Sequence, residues 1–182
     1  VRAGSDGASL ASMAIDFTAS TPMDTAVGYV FLDTDQDPKT GLPPDALFGL
    51  PTQDVGMEYF VDLFGIHDQD PVVFIVDAQT FEATAAVPAT IDGQTVSFDI
   101  PLEAVGGDDG AIDTAMIVGD FGPTDWAPDE GHGTIEPFAD LPWLSALPES
   151  GTVAAGGDTS VMIRMGGTSL TPGEHQALLV FT

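Results

Sequence analysis

Alternation with a period of two is the feature that most restricts how this chain can fold. Ala11, Met13, Ile15, Phe17 and Ala19 fall on one side of a segment whose other side carries Ser12, Asp16 and Thr18. Successive side chains of a strand point to opposite faces, so this spacing predicts a strand with one buried face. Further strands are predicted over Val27 to Asp33, Gly56 to Phe64, Phe81 to Ile91, Gln94 to Ile100 and Ala111 to Phe121. The run Val72 to Val76 is apolar at every position and reads as a strand buried on both faces. Asp92-Gly93 separates two of these runs and is a strong two-residue hairpin signal. Helical periodicity is nearly absent, and Leu102 to Val105 is one turn at most. The expectation is an all-β fold, an antiparallel β-sandwich of jelly-roll or immunoglobulin-like type.

At 182 residues and 43% hydrophobic content the chain can build a sizeable core despite its 21 Gly and 14 Pro. From Gly122 to Asp140 the pattern turns loop-like, with Pro123, Pro128, Gly131, Gly133 and Pro137, and a second patterned region follows. The reading is therefore two domains, residues 1–137 and 138–182, the second a partial β unit. Cysteine is absent, which excludes disulfides, thiolate metal sites and a cysteine nucleophile. No apolar run approaches the roughly 18 residues of a membrane-spanning helix, so membrane insertion is not expected. The start at Val1 rather than Met reads as a chain processed or excised from a longer precursor.

Charge is lopsided: 29 acidic residues face 3 basic ones, for a net charge of -26. Such a surface repels nucleic acid and anionic membranes. A salt-rich or calcium-rich habitat would screen the self-repulsion. Acidic decoration of a secreted surface protein would explain the same composition.

One stretch concentrates the acids in a pattern that suggests chemistry. Asp33-Thr34-Asp35-Gln36-Asp37-Pro38-Lys39-Thr40-Gly41 leaves a hydrophobic strand and enters a Pro/Gly-rich loop. Calcium takes several oxygen ligands at about 2.3–2.6 Å, and alternating Asp on a tight loop supplies them. Pro38 and Pro44 stand where an EF-hand needs Gly and Glu, so that motif is excluded. Glu58 and Asp62 share a strand face about 13 Å apart at the usual rise, so one of them, not both, can join Asp33, Asp35 and Asp37. The loop holding Asp120, Asp125, Asp129, Glu130 and Glu136 around His132 is a second candidate cation site, with Asp125 and Asp129 as its ligands. Ordinary solvated acidic loops are the competing reading at both places.

Other chemistry is thinly represented. His67, His132 and His175 lack zinc-ligand spacing. There is no Gly-x-Ser-x-Gly elbow, and Gly166-Gly167-Thr168-Ser169 lacks the Lys and helix of a phosphate cradle. Paired carboxylates for glycoside hydrolysis are uninformative among 29 acids. Most aromatic residues sit in strands and are expected in the core. A ligand groove lined by Tyr29, Tyr59 and Trp126 is the sharper alternative.

Four segments together carry a family likeness: Phe31 to Gly41 (FLDTDQDPKTG), Gly56 to Phe64 (GMEYFVDLF), Val96 to Gly107 (VSFDIPLEAVGG) and Asp125 to Gly131 (DWAPDEG). In that order, over about residues 8–135, they resemble DOMON-like and family-nine carbohydrate-binding β-sandwich modules of secreted bacterial hydrolases. The resemblance implies calcium bound for stability and, in some members, a glycan or haem on one sheet. The stretch from Trp143 to Thr182, with Trp143-Leu144-Ser145, Ser150-Gly151-Thr152-Val153 and Leu170-Thr171-Pro172-Gly173, is similar to the latter half of a bacterial immunoglobulin-like surface repeat. Its opening strands are missing, so it must pack on the first domain or be completed by another chain through strand addition.

Taken together, the sequence reads as a non-catalytic, calcium-stabilised module, secreted or at the cell surface, that attaches, binds a substrate or acts as a spacer. A polysaccharide or protein surface ligand is its expected partner. The alternative is a subunit of an extracellular filament, a homo-oligomer built through exposed strand edges.

Overall fold

A computed structural model describes residues 1–6, 9–43, 45–48, 53–137, 144–147, 160 and 162–165. The chain divides into two compact units, Val1–Pro137 and Phe138–Thr182.

The first unit is a curled, antiparallel sheet built from β1 (Arg2–Ser5), β2 (Leu10–Asp16), β3 (Ala26–Asp33), β4 (Tyr59–Asp62), β5 (Val72–Asp77), β6 (Ala83–Asp92), β7 (Thr95–Pro101), β8 (Ile112–Asp120), β9 (Asp125–Ala127) and β10 (Gly133–Ile135). Its strand order is β1-β2-β7-β6-β5-β4-β3-β8-β10, with β9 on β8 beside β10. The long β6 pairs with β5 through its first half and with β7 through its second, which turns the sheet through a corner. The two ends of the path meet: the Ser5 N–H donates to the Glu136 carbonyl at 3.1 Å, and Ser5 bridges Pro137 in parallel.

Alternation decides which side chains the curl encloses. Ala11, Met13 and Ile15 of β2, Val30 and Leu32 of β3, Val61 of β4, Ile75 of β5, Val96 and Phe98 of β7, and Ile112 and Met116 of β8 form one buried cluster. Each fully buried aliphatic or aromatic side chain contributes about 1.5–3 kcal/mol. A second cluster lies on the opposite face of the central strands: Phe31, Phe60, Val76, Ala115 and Ile117, covered by Val55 and Met57. Burial on both faces explains why β3 and β8 are almost continuously apolar, a pattern shared with interior strands of larger sheets.

The hairpin turn lies one residue later than its sequence signal. Asp92 pairs with Thr95, leaving Gly93 and Gln94 as the loop, and Gly93 has the positive φ (59°) that a type II′ turn demands at its first position. Helical structure is confined to α1 (Asp45–Phe48) and two 3₁₀ turns, Phe64–His67 and Leu102–Val105, among the described residues. Two short strands, β9 and β10, fall in the Gly122 to Asp140 stretch whose patterning predicts loop, and β1 lies ahead of the first strand expected from the sequence.

In the second unit, β11 (Leu144–Leu147) and β12 (Met162–Met165) form an antiparallel pair in which Ser145 faces Arg164. Trp143, the Gly151 to Gly157 turn, the Thr171-Pro172-Gly173 turn and the expected last strand with His175 lie outside the described residues.

Candidate metal centre

Asp33 is the last residue of β3 and wholly buried. Phe31 and Asp33 share the outer face of the strand, so the carboxylate sits at the rim of the second apolar cluster. After Asp33 the chain folds back through a bridge between Leu42 and Met57, whose reciprocal N–H···O bonds measure 2.8 and 3.0 Å. That bridge delivers Gly56 and Glu58 to the end of β3. The Gly56 N–H donates to Asp33 Oδ2 at 2.8 Å, and the Thr34 N–H donates to Glu58 Oε2 at 3.0 Å. Gly56 is required by space, since a Cβ there would lie 2.1 Å from the Thr40 carbonyl oxygen.

Three carboxylates thereby converge. One oxygen from each of Asp33, Asp35 and Glu58 lies within 4.8 Å of the others. Two ligands of one calcium ion stand at most about 5.2 Å apart, twice the longest usual bond, so this spacing fits. Asp33 Oδ1 is buried and has no hydrogen-bond partner. A buried polar atom without a partner costs about 1–3 kcal/mol, more when charged. Burial is the main cause that pushes the Asp33 carboxyl above its ordinary value, with the charges of Asp35 and Asp113 adding to it. Glu58 is raised in the same way, by burial first and then by Asp35 and Asp33, against the lowering bond from Thr34. Among the described residues no Lys or Arg pairs with any of the three.

The Thr40 hydroxyl lies among these oxygens. It is 2.9 Å from both Asp35 oxygens and from the Asp37 carbonyl, and 3.4 Å from Glu58 Oε1. One hydroxyl carries one proton, so at most one of the four approaches is a donated hydrogen bond at a time. Asp35 is exposed and also accepts the Asp37 N–H on Oδ1 at 3.0 Å, so within the triad the buried oxygen left without a donor is Asp33 Oδ1.

The other acids named from the sequence contribute no carboxylate to the triad. The Asp37 side chain accepts the Lys39 N–H at 3.1 Å and is not part of the convergent triad. Asp125 lies on β9 opposite Val118, and the Asp129 carbonyl accepts from Gln53 Nε2 at 3.2 Å. Asp120 takes the Thr25 hydroxyl. Tyr29 and Trp126 border the outer cluster whereas Tyr59 packs on the inner one, so these three do not line one groove.

Two acids that the sequence did not single out, Asp113 and Asp54, meet at His132, and the first of them neighbours Asp33. Asp113 of β8 is the cross-strand partner of Asp33, a like-charge pairing that costs stability unless offset. His132 reaches it: Nε2 is 3.4 Å from Asp113 Oδ2 and Nδ1 is 2.8 Å from Asp54 Oδ1. The Asp54 bond is the chief reason the imidazole is held above its ordinary pKa, burial opposes it, and the Asp113 and Asp33 charges add to the rise. Thr134 donates to Asp113 Oδ1 at 2.7 Å. The remaining described histidine, His67, bonds the Ala26 carbonyl through Nε2 at 2.6 Å.

Comparison with known proteins returns no matching family model, no matching curated protein and no matching solved structure. Among the described residues, no helix is long and apolar enough to cross a membrane.

Proposed function

We propose that Val1–Pro137 is a non-catalytic accessory module stabilised by one calcium ion held by Asp33, Asp35 and Glu58. The observation that carries this reading is Asp33 Oδ1, a carboxylate oxygen buried without a partner on a residue whose carboxylate converges with two others. The Thr40 hydroxyl and the Asp37 carbonyl, already among these oxygens, would complete the set toward the six to eight that calcium takes. Bound there, the ion would tie the end of β3 to the start of β4. In this reading the curled sheet is a β-sandwich of the DOMON-like and family-nine carbohydrate-binding kind. The C-terminal unit is part of an immunoglobulin-like repeat, and the protein acts outside the cell or at its surface in attachment, substrate binding or spacing. Calorimetric titration of calcium into chelator-treated protein tests it. One saturable site and a melting temperature that falls in chelator are expected; no heat and no thermal shift would remove the proposal.

A second reading, a filament subunit assembled by strand complementation, rests on the seam of the sheet. Among the described residues, β1 and β10 meet only near Ser5, beside a cavity of about 340 Å³ lined in part by Val1, Ala3, Gly133 and Thr134. Free strand edges pair readily with other chains. Sedimentation velocity over a wide concentration range tests this: a monomer throughout would rule it out.

A further inference from the structure

The outer face of the central strands carries a carboxylate framed by aromatic rings, and we infer that this patch binds a quaternary ammonium head group of the choline type. Tyr29 of β3, Asp62 of β4 and Phe74 of β5 are successive cross-strand neighbours. Their side chains therefore leave the same face of the sheet. The Phe64 ring lies 5.4 Å from that of Tyr29, and Phe60 backs Tyr29 edge-on at 5.7 Å. Phe74 is fixed against the turn that follows β4, its Cε2 only 3.1 Å from where a Cβ on Gly65 would stand. The patch is open to solvent: Phe64 is 43% exposed, and Tyr29, Asp62 and Phe74 are half-buried.

Charge selects the class of ligand. Aromatic faces present negative potential and attract cations, most strongly where water is displaced. The carboxylate of Asp62 adds a full negative charge beside Tyr29, near enough to help burial hold the Tyr29 hydroxyl above its ordinary pKa. Among the described residues the Asp62 carboxylate makes no ion pair, and it accepts one hydrogen bond, on Oδ1 from the Phe64 N–H at 2.7 Å. An anionic ligand would meet this carboxylate and a chain of net charge -26. The hydrogen-bond inventory then discriminates among cations. A primary ammonium brings three N–H donors and a guanidinium five. The Tyr29 hydroxyl and a single half-engaged carboxylate accept fewer than three of those donors, and each N–H turned onto a ring instead of water is penalised. A quaternary ammonium has no N–H donor, and its methyl groups pack directly on ring faces.

The test uses the full chain with calcium saturating and about 0.5 M NaCl to suppress diffuse counter-ion binding. Choline is titrated and its N-methyl proton resonance followed. Saturable binding with an upfield ring-current shift is expected. The neutral isostere 3,3-dimethylbutan-1-ol and the primary amine ethylammonium should each bind at least about fivefold more weakly. Asp62→Asn retains an acceptor for the Phe64 N–H, keeps the fold and should weaken choline by a similar factor; Phe64→Ala should diminish the upfield shift. The inference is overturned if choline does not saturate, if the neutral isostere binds equally well, if ethylammonium competes on equal terms, or if Asp62→Asn leaves choline affinity unchanged. Thermal melts of both variants confirm that they remain folded.

Discussion

Replacing Asp33 by asparagine should raise stability in chelator and lower it in calcium, a reversal of sign that follows from the geometry. Asp33, Asp35 and Glu58 present oxygens within 4.8 Å of one another. Two unit charges at that separation repel by about 0.9 kcal/mol in water and about 3.5 kcal/mol at an effective dielectric of 20. The substituted side chain keeps an oxygen for the Gly56 N–H and turns an amide toward the other two carboxylates, so the cation-free variant gains about 2 kcal/mol. Losing one charged ligand weakens calcium by about a hundredfold. At a calcium concentration of about 1,000 wild-type Kd, binding adds about 4.1 kcal/mol to the wild type but only about 1.4 to the variant. The variant then falls about 0.7 kcal/mol behind. With about 4 °C per kcal/mol for a unit of this size, it should melt about 8 °C higher than wild type in chelator and about 3 °C lower in calcium. Differential scanning calorimetry in the two buffers measures both. If Asp33→Asn melts lower by the same margin in each, Asp33 is an ordinary structural acceptor and the metal reading is refuted.

The remaining predictions address pH, space and selectivity. Burial and neighbouring charge raise the folded-state pKa of Asp33 and Glu58 above their ordinary 3.8 and 4.5. Folding therefore takes up protons, and in chelator the melting temperature should rise as pH falls from neutral through the raised values toward about 4.5. Saturating calcium should abolish that rise, and a fall in chelator over the same window would contradict the assignment. Gly56→Ala places a Cβ 2.1 Å from the Thr40 carbonyl oxygen and should cost about 3 kcal/mol in denaturant melts while weakening calcium. Asp35→Asn should weaken calcium about a hundredfold by titration calorimetry, whereas Asp125→Asn and Asp129→Asn should change it less than about twofold, because neither belongs to the triad.

Much of the sheet was legible because its strands bury one face and expose the other. Met13 and Ile15 are both 2% exposed, as their spacing predicts, and β5 to β8 lie close to their expected limits. What escaped was set by tertiary context. β9 and β10 are three residues each in a Pro- and Gly-rich stretch, and they exist because the apolar strand β8 offers them an edge. Strand propensity is weak beside such pairing. The acidic triad was legible at Asp33 and Asp35 from their alternation, while the sequence alone ranks Glu58 level with Asp62 and only the Leu42–Met57 bridge carries Glu58 to the end of β3. Asp113 was hidden in an apolar run, and only the β3–β8 register puts it beside Asp33. The contact between Asp54 and His132 spans 78 positions and leaves no local signal.

Crystals grown in calcium, with anomalous differences collected at a long wavelength, would test the central claim most directly. One strong peak is predicted at about 2.3–2.6 Å from Asp33 Oδ1 and from an oxygen of each of Asp35 and Glu58. A map with no peak there, or with its only peak in the Asp125 to Asp129 loop, would contradict it.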